Sequence, residues 1–199
     1  MISSFIKNNQ FNIILASQSP RRYDLLRMIG LDFTVIPSDI IEKNDNDLQP
    51  LEYALMNAKD KAKVVSEKYP NSLVISADTI VVLGNKILEK PENADHAFEI
   101  LSQLNGKTHE VITAFGLILK SKKISIFDYE KTKVKFRKLQ HEKIKEYIET
   151  GEPFDKAGGY GAQGLGSLLI EKVDGCFYNV VGFPLGKFFI MYEKLISEN

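Results

Sequence analysis

Apolar positions along this chain recur with two periods that alternate from one segment to the next. Residues 12–16 (NIILA) form a short unbroken apolar run that predicts a buried strand. Residues 20–29 carry Leu25, Leu26 and Ile29 at helical spacing, with Gly30 placed to end the helix. Residues 33–36 predict a second strand. Residues 50–69 predict the longest helix, with Ala54, Leu55, Ala58, Ala62 and Val65 on one face. The run 73–83 (LVISADTIVVL) is β-branched and apolar, and Gly84-Asn85 reads as a two-residue hairpin turn into residues 86–88. A helix over 94–104 follows, closed by Gly106. Two β-rich stretches, 110–119 and 123–136, are joined by a polar turn. A helix over 140–150, a glycine-rich connection over 151–166, a strand over 168–173 and a closing helix over 183–196 complete the pattern. Strands and helices alternate without strict βαβ regularity, which predicts an α/β fold: a mixed twisted sheet with flanking helices. No linker, repeat or low-complexity block divides the sequence, so residues 1–199 are expected to form a single domain.

Composition narrows the partners. The chain has 199 residues, 44% hydrophobic and 26% charged, enough to bury a core. Lys+Arg and Asp+Glu both number 26, so net charge is zero and the basic excess of a protein that coats polymeric nucleic acid is missing. A local basic pocket for a small anion is still compatible with this balance. The lone cysteine, Cys176, allows no internal disulfide and fits a reducing compartment. The first residues lack the apolar stretch of a signal peptide, and no run of 18 apolar residues occurs. A cytoplasmic protein with no membrane segment is expected.

Three segments carry candidate chemistry. Ser17-Gln18-Ser19-Pro20-Arg21-Arg22 lies between a predicted strand and helix. Ser19 suits the N-cap and Pro20 the first helical position. First-turn N–H groups, the helix dipole and two arginines would together bind an anion. A solvent-facing basic turn accounts for the same residues equally well. Asp78, in Ser76-Ala77-Asp78-Thr79, interrupts an apolar β run, where a carboxylate is costly unless paired, protonated or metal-bound. It is a candidate general base or metal ligand, the other reading being a strand-end cap. Lys90 is a candidate for its compensating charge. The third segment, residues 151–164, holds five glycines in fourteen positions, yet has neither a Walker nor a Rossmann spacing. Read alone it is a ligand-approaching or merely flexible loop. His96, His109 and His141 are far apart and lack metal-ligand spacing, so each is expected to be a surface or satisfied residue. Cys176 is expected to be a packed or surface thiol.

Taken in order, the motifs SQSPRRYDLL, SADTIVV, LEKP, LNGKTHEV, GEPFDKAGGYGAQG and YNVVGFP resemble the Maf family of nucleoside triphosphate pyrophosphatases, from about residue 12 to residue 185. The resemblance implies two lobes around a deep cleft, similar to the inosine-triphosphate pyrophosphatases. It implies hydrolysis between the α- and β-phosphorus atoms, assisted by a divalent cation (Mg²⁺ or Mn²⁺), with a homodimer as one assembly. The family is also linked to cell-division arrest and to keeping modified nucleotides out of nucleic acid. Within it, Arg21, Thr79 and Gln163 match the type that acts on dTTP and UTP. The branch preferring 7-methyl-GTP carries Trp, Gln and Glu there. Ala162 and Phe183 depart from the usual Ile and Leu, both remaining apolar.

The roles implied are these. Arg22, Lys61 and Lys90, with Ser17 and Ser19, meet the phosphates. Glu42 and Asp78 hold the metal and orient water, with Asp78 the general base. Gln163 and Thr79 read the base, helped by Arg21; a side-chain amide both donates to and accepts from a uracil or thymine edge. Two other readings accompany this one: the same chemistry on 7-methyl-GTP or a modified nucleotide, and a nucleotide-binding cell-division regulator with little turnover.

Overall fold

A computed structural model describes residue 6, residues 11–40 and residues 48–198. Among the described residues, seven strands form one sheet: β1 (Ile13–Leu15), β2 (Thr34–Val35), β3 (Leu73–Leu83), β4 (Lys86–Leu88), β5 (Thr108–Leu119), β6 (Ile124–Phe136) and β7 (Ile170–Asp174). Their spatial order is β2-β1-β3-β5-β6-β7, with β4 paired to β3 off this path. β1 lies parallel to β2 and to β3, and the remaining pairings are antiparallel. The sheet is therefore mixed, as the irregular alternation of periods predicts.

Helix α2 (Pro50–Lys68) covers one face. Its small residues Ala54, Ala58 and Ala62 are fully buried, so its backbone lies close to the sheet. Ala54 and Ala58 pack with Ile80, Val82, Ile112 and Ala114, while Ala62 and Val65 pack with Val74, Ile14 and Ala16. The opposite face holds the larger core. There α1 (Pro20–Met28), α3 (Ala94–Leu104), α4 (His141–Glu149), α5 (Phe177–Val181) and α6 (Leu185–Ser197) contribute residues such as Leu26, Leu101, Ile144, Val181 and Phe188 around Ile75, Phe115 and Leu117. Burial on this scale dominates folding energetics, at roughly 25 cal/mol per Å² of apolar surface.

Three departures from the sequence pattern have local causes. The expected strand over 168–173 starts at Ile170, because 3₁₀ turns run from Gly164 to Leu169. The closing helix starts at Leu185 rather than residue 183. Helix α5 was not anticipated: five residues, FYNVV, are too few to display a period.

Topology opens a place for chemistry on β3. Its edge away from β5 pairs with β1 through Leu73–Ile75 and with β4 through Val81–Leu83. Between them, among the described residues, no strand lies beside residues 76–80 on that edge, although β5 pairs them throughout on the other. This interruption lies just past the carboxyl end of β1, where open α/β sheets place their ligand crevice. Asp78 is at its centre.

Candidate active site

A cleft of about 640 Å³ opens at this interruption, within the ordinary range for a small-molecule site. Ser17, Ser19, Arg21, Arg22, Lys61, Asp78, Thr79, Lys90 and Gln163 all line it. They come from β1's end, α1, α2, β3, the segment after β4 and the glycine-rich connection, so residues far apart in sequence converge. Glu42 lies outside the described residues.

Side-chain alternation on β3 divides the cleft's chemistry between the two faces of the sheet. On the α2 face, Ser76 donates to the Ala58 carbonyl at 2.7 Å, and Asp78 Oδ1 accepts from Lys61 Nζ at 2.6 Å. The pair is largely buried, with side-chain exposures of 12% for Lys61 and 6% for Asp78. Lys61 comes one helical turn after Asn57-Ala58, which brings it over the strand. Asp78 Oδ2 is buried and has no hydrogen-bond partner among the described residues. A buried carboxylate oxygen without a protein donor is costly, and its chemistry suits a water or a hard cation. The compensating charge for Asp78 is thus Lys61 rather than Lys90, which lies exposed on the cleft wall.

On the opposite face, Thr79 stands across from Thr113 of β5, with their hydroxyl oxygens 2.9 Å apart. Arg22 donates to three neutral oxygens: Gly182 O at 3.1 Å, Ser17 Oγ at 3.0 Å and Thr79 Oγ1 at 3.0 Å. The guanidinium is buried, so its planar fork is preset. Thr79 therefore holds Arg22 with its hydroxyl. Ser19 occupies the N-cap of α1 as expected, but its side chain makes no capping bond; its own N–H donates to Ser17 Oγ at 3.2 Å. The next residue is Pro20, so the first-turn amides that lack intrahelical acceptors belong to Ser19's successors Arg21 and Arg22.

The glycine-rich connection closes the cleft's far wall. Arg21 Nη1 meets Asp155 Oδ2 at 2.6 Å, tying α1 to this connection across 134 residues of sequence. Lys156 Nζ donates to Asp155 Oδ1 and to the Glu152 carbonyl, each at 2.6 Å. Burial pushes the Asp155 carboxyl up, but Lys156 and Arg21 outweigh it and hold the group below its ordinary range. Asp155, Lys156 and Glu152 line the cleft and were not singled out in the sequence. Their signal was position alone: all three lie in the quoted glycine-rich motif.

Gly158 has φ +69, and a Cβ there would lie 2.8–2.9 Å from the Val81 side chain. Its N–H donates to the Glu89 carbonyl at 3.0 Å, joining the connection to the Lys90 segment. Gly158→Ala is expected to lose about 2–4 kcal/mol in a urea unfolding titration, from left-handed strain together with overpacking. A loss under 1 kcal/mol would contradict this account of the contact.

His109 is buried, not exposed. Its Nε2 lies 2.6 Å from the Tyr160 hydroxyl, while its Nδ1 has no partner among the described residues. Phe136 and Tyr160 flank it edge-on. Burial pulls the imidazole from 6.5 down to about 4. Between those values the unfolded chain takes up a proton that the folded chain refuses, so stability is whole above pH 6.5 and declines through this window by about 3 kcal/mol. Denaturant midpoints at pH 7.5 and pH 4.5 should therefore differ less in His109→Gln than in the wild type. Parallel declines would remove His109 from the acid response.

Among the described residues, no group of three His, Cys, Asp or Glu side chains is placed to hold a metal. A small hard cation does not require one, since Mg²⁺ is commonly held by one or two carboxylates together with substrate phosphates. Asp78 Oδ2, buried and without a donor, fits that role. Among the described residues, no helix is long and apolar enough to cross a membrane.

Comparison with known proteins agrees with the fold and the motif order. The Staphylococcus aureus Ham1 protein superposes with a TM-score of 0.51, covering 94% of this chain and all of that one at 14% identity, which shows a shared fold. A dTTP/UTP pyrophosphatase of Caldicellulosiruptor saccharolyticus is 47% identical over 187 residues, covering 92% of this chain and 94% of the relative. One from Alkaliphilus oremlandii is 48% identical over 188 residues, covering 94% of this chain and 97% of the relative. The profile of the Maf-like proteins matches residues 12–195. The chain belongs to the Maf family.

Proposed function

We propose that this protein is a nucleoside triphosphate pyrophosphatase that hydrolyses dTTP and UTP to the monophosphate and pyrophosphate. The observation that carries the reading is the Asp78 carboxylate, buried at the sheet's interruption with Oδ1 bound to Lys61 and Oδ2 without a donor among the described residues. The names of the relatives support the substrate class, and Arg21, Thr79 and Gln163, the three residues of the pyrimidine type, share this cleft. We read residues 1–199 as one domain, a reading supported by the cleft, which is lined by residues from Ala16 to Gly182. Its place of action is the cytoplasm.

Each residue has a task set by its position. Lys61 fixes the Asp78 carboxylate and adds positive charge beside it. Asp78 accepts the proton of the attacking water as general base. Arg22, with Lys90 on the cleft wall and Ser17 and Ser19 at the start of α1, holds the phosphates and balances charge on the departing pyrophosphate. Asp78, with Glu42, would hold a divalent cation. When bound, such a cation supplies neutralisation of phosphate charge and acidification of water. Gln163 meets the base with its amide.

The test is pyrophosphate release from a panel of nucleoside triphosphates, with Mg²⁺, with Mn²⁺ and with chelator. Cation-dependent release from dTTP and UTP is expected, each exceeding ATP and GTP. Preference for 7-methyl-GTP would overturn the pyrimidine assignment. Tight nucleotide binding with no release from any substrate would replace the enzyme by a nucleotide-binding regulator.

A further inference from the structure

The glycine-rich connection is pinched at its base. A Cβ on Gly166 would lie 2.4 Å from the Gly161 carbonyl oxygen and 2.8 Å from its nitrogen, so the two backbones touch. Gln163 lies on the short loop between them. One side chain secures this pinch. Glu152 Oε1 accepts from the Gly166 N–H at 2.9 Å and from the Tyr147 hydroxyl at 3.2 Å, while Oε2 accepts from the Leu165 N–H at 3.0 Å. The carboxylate lies so close beneath the loop that a Cβ on Gly164 would be 2.9 Å from Oε2. Tyr147 comes from α4, so the clasp ties the loop to a helix of the main core. Its hydroxyl is held protonated by burial first and by the Glu152 charge second, which keeps it a donor.

We propose that Glu152 is a positioning residue for base selection: its carboxylate clasps the loop at Leu165 and Gly166 and thereby sets where Gln163 meets the base. This rests on the pyrimidine reading of the cleft. All three partners donate, so only a full acceptor serves. An amide at this position would turn one oxygen into an NH₂ facing an N–H or O–H, leaving two donors opposed. Backbone N–H bonds to a carboxylate are charge-assisted and hold geometry tightly.

Glu152→Gln is expected to lower kcat/KM for UTP and dTTP on the order of tenfold, a modest share of what misplacement near a site can cost. The change should appear in KM, with kcat within about threefold, and the ratio of UTP to GTP kcat/KM should narrow by a similar factor. Gln163→Ala should narrow the same ratio, and the double variant should add little, because both changes undo one contact. Tyr147→Phe keeps the carboxylate and loses one donor, so it should shift the ratio in the same direction by a smaller factor; it serves where Glu152→Gln does not fold. A uniform loss on UTP and GTP alike, an unmoved ratio in both variants, or full additivity with Gln163→Ala would overturn the proposal. Absence of UTP and dTTP turnover in the wild type would instead overturn the pyrimidine reading, and this inference with it.

Discussion

Asp78→Asn is expected to reduce cation-dependent pyrophosphate release from UTP and dTTP by a factor on the order of 10²–10⁴, the usual cost of losing a positioned general base. The amide keeps the side chain's size and one acceptor for Lys61, so the fold should survive. Its cost should be about 1–3 kcal/mol, that of weakening a hydrogen bond to a charged group. Lys61→Met differs in kind. It would leave Asp78, 6% exposed, as a buried charge without its ammonium, and breaking such a pair costs about 3–5 kcal/mol. The two variants separate chemistry from stability: the first loses rate with a modest change in unfolding midpoint, the second loses both. Circular dichroism melts alongside the assay supply the comparison. A folded Asp78→Asn protein that retains full turnover would remove Asp78 from the reaction.

Arg22→Lys should lower kcat/KM on the order of 10²-fold, comparable to removing one preorganised donor from a charge-stabilising site. The substitution keeps the charge, so a site needing only a positive group would tolerate it. Here the guanidinium spans three acceptors on three separate segments, Ser17, Thr79 and Gly182. An ammonium on a flexible stem cannot reach them in one plane, and buried oxygens would be left without donors. Thr79→Val, which deletes the acceptor for Nη2, should reproduce part of the loss without touching Arg22 itself. Steady-state kinetics on UTP check both, and wild-type kcat/KM in Arg22→Lys would reduce Arg22 to a bulk charge.

Four site residues show how far sequence carries. Asp78 was conspicuous because a charge inside LVISADTIVVL conflicts with burial, and that conflict needs a partner or a function. Lys61 was not conspicuous by itself, since lysines on an amphipathic helix mostly face water; only the resemblance of the chain to the family raised it. Glu152 and Asp155 carried no signal of their own in a loop already polar, and their tasks arise from contacts with Tyr147, Leu165, Gly166 and Arg21. His109 was expected to be a surface or a satisfied residue, and the structure decides for the second, buried with Nε2 against the Tyr160 hydroxyl; burial near a strand end depends on what packs over it.

By itself the sequence determined the strand and helix periods, the mixed α/β class and the length of β3, because these follow from local alternation of apolar and polar positions. Motif order along the chain likewise determined the family. Tertiary structure decided which strand lies beside which, and so left residues 76–80 of β3 without a neighbour on one edge. It also decided that Lys61 answers Asp78 and that Thr79 turns to Arg22 on the other face. The physical reason is range. Side-chain periodicity acts over a few residues and is written in the chain, whereas a hydrogen bond between residues 134 apart exists only once the sheet has closed the distance.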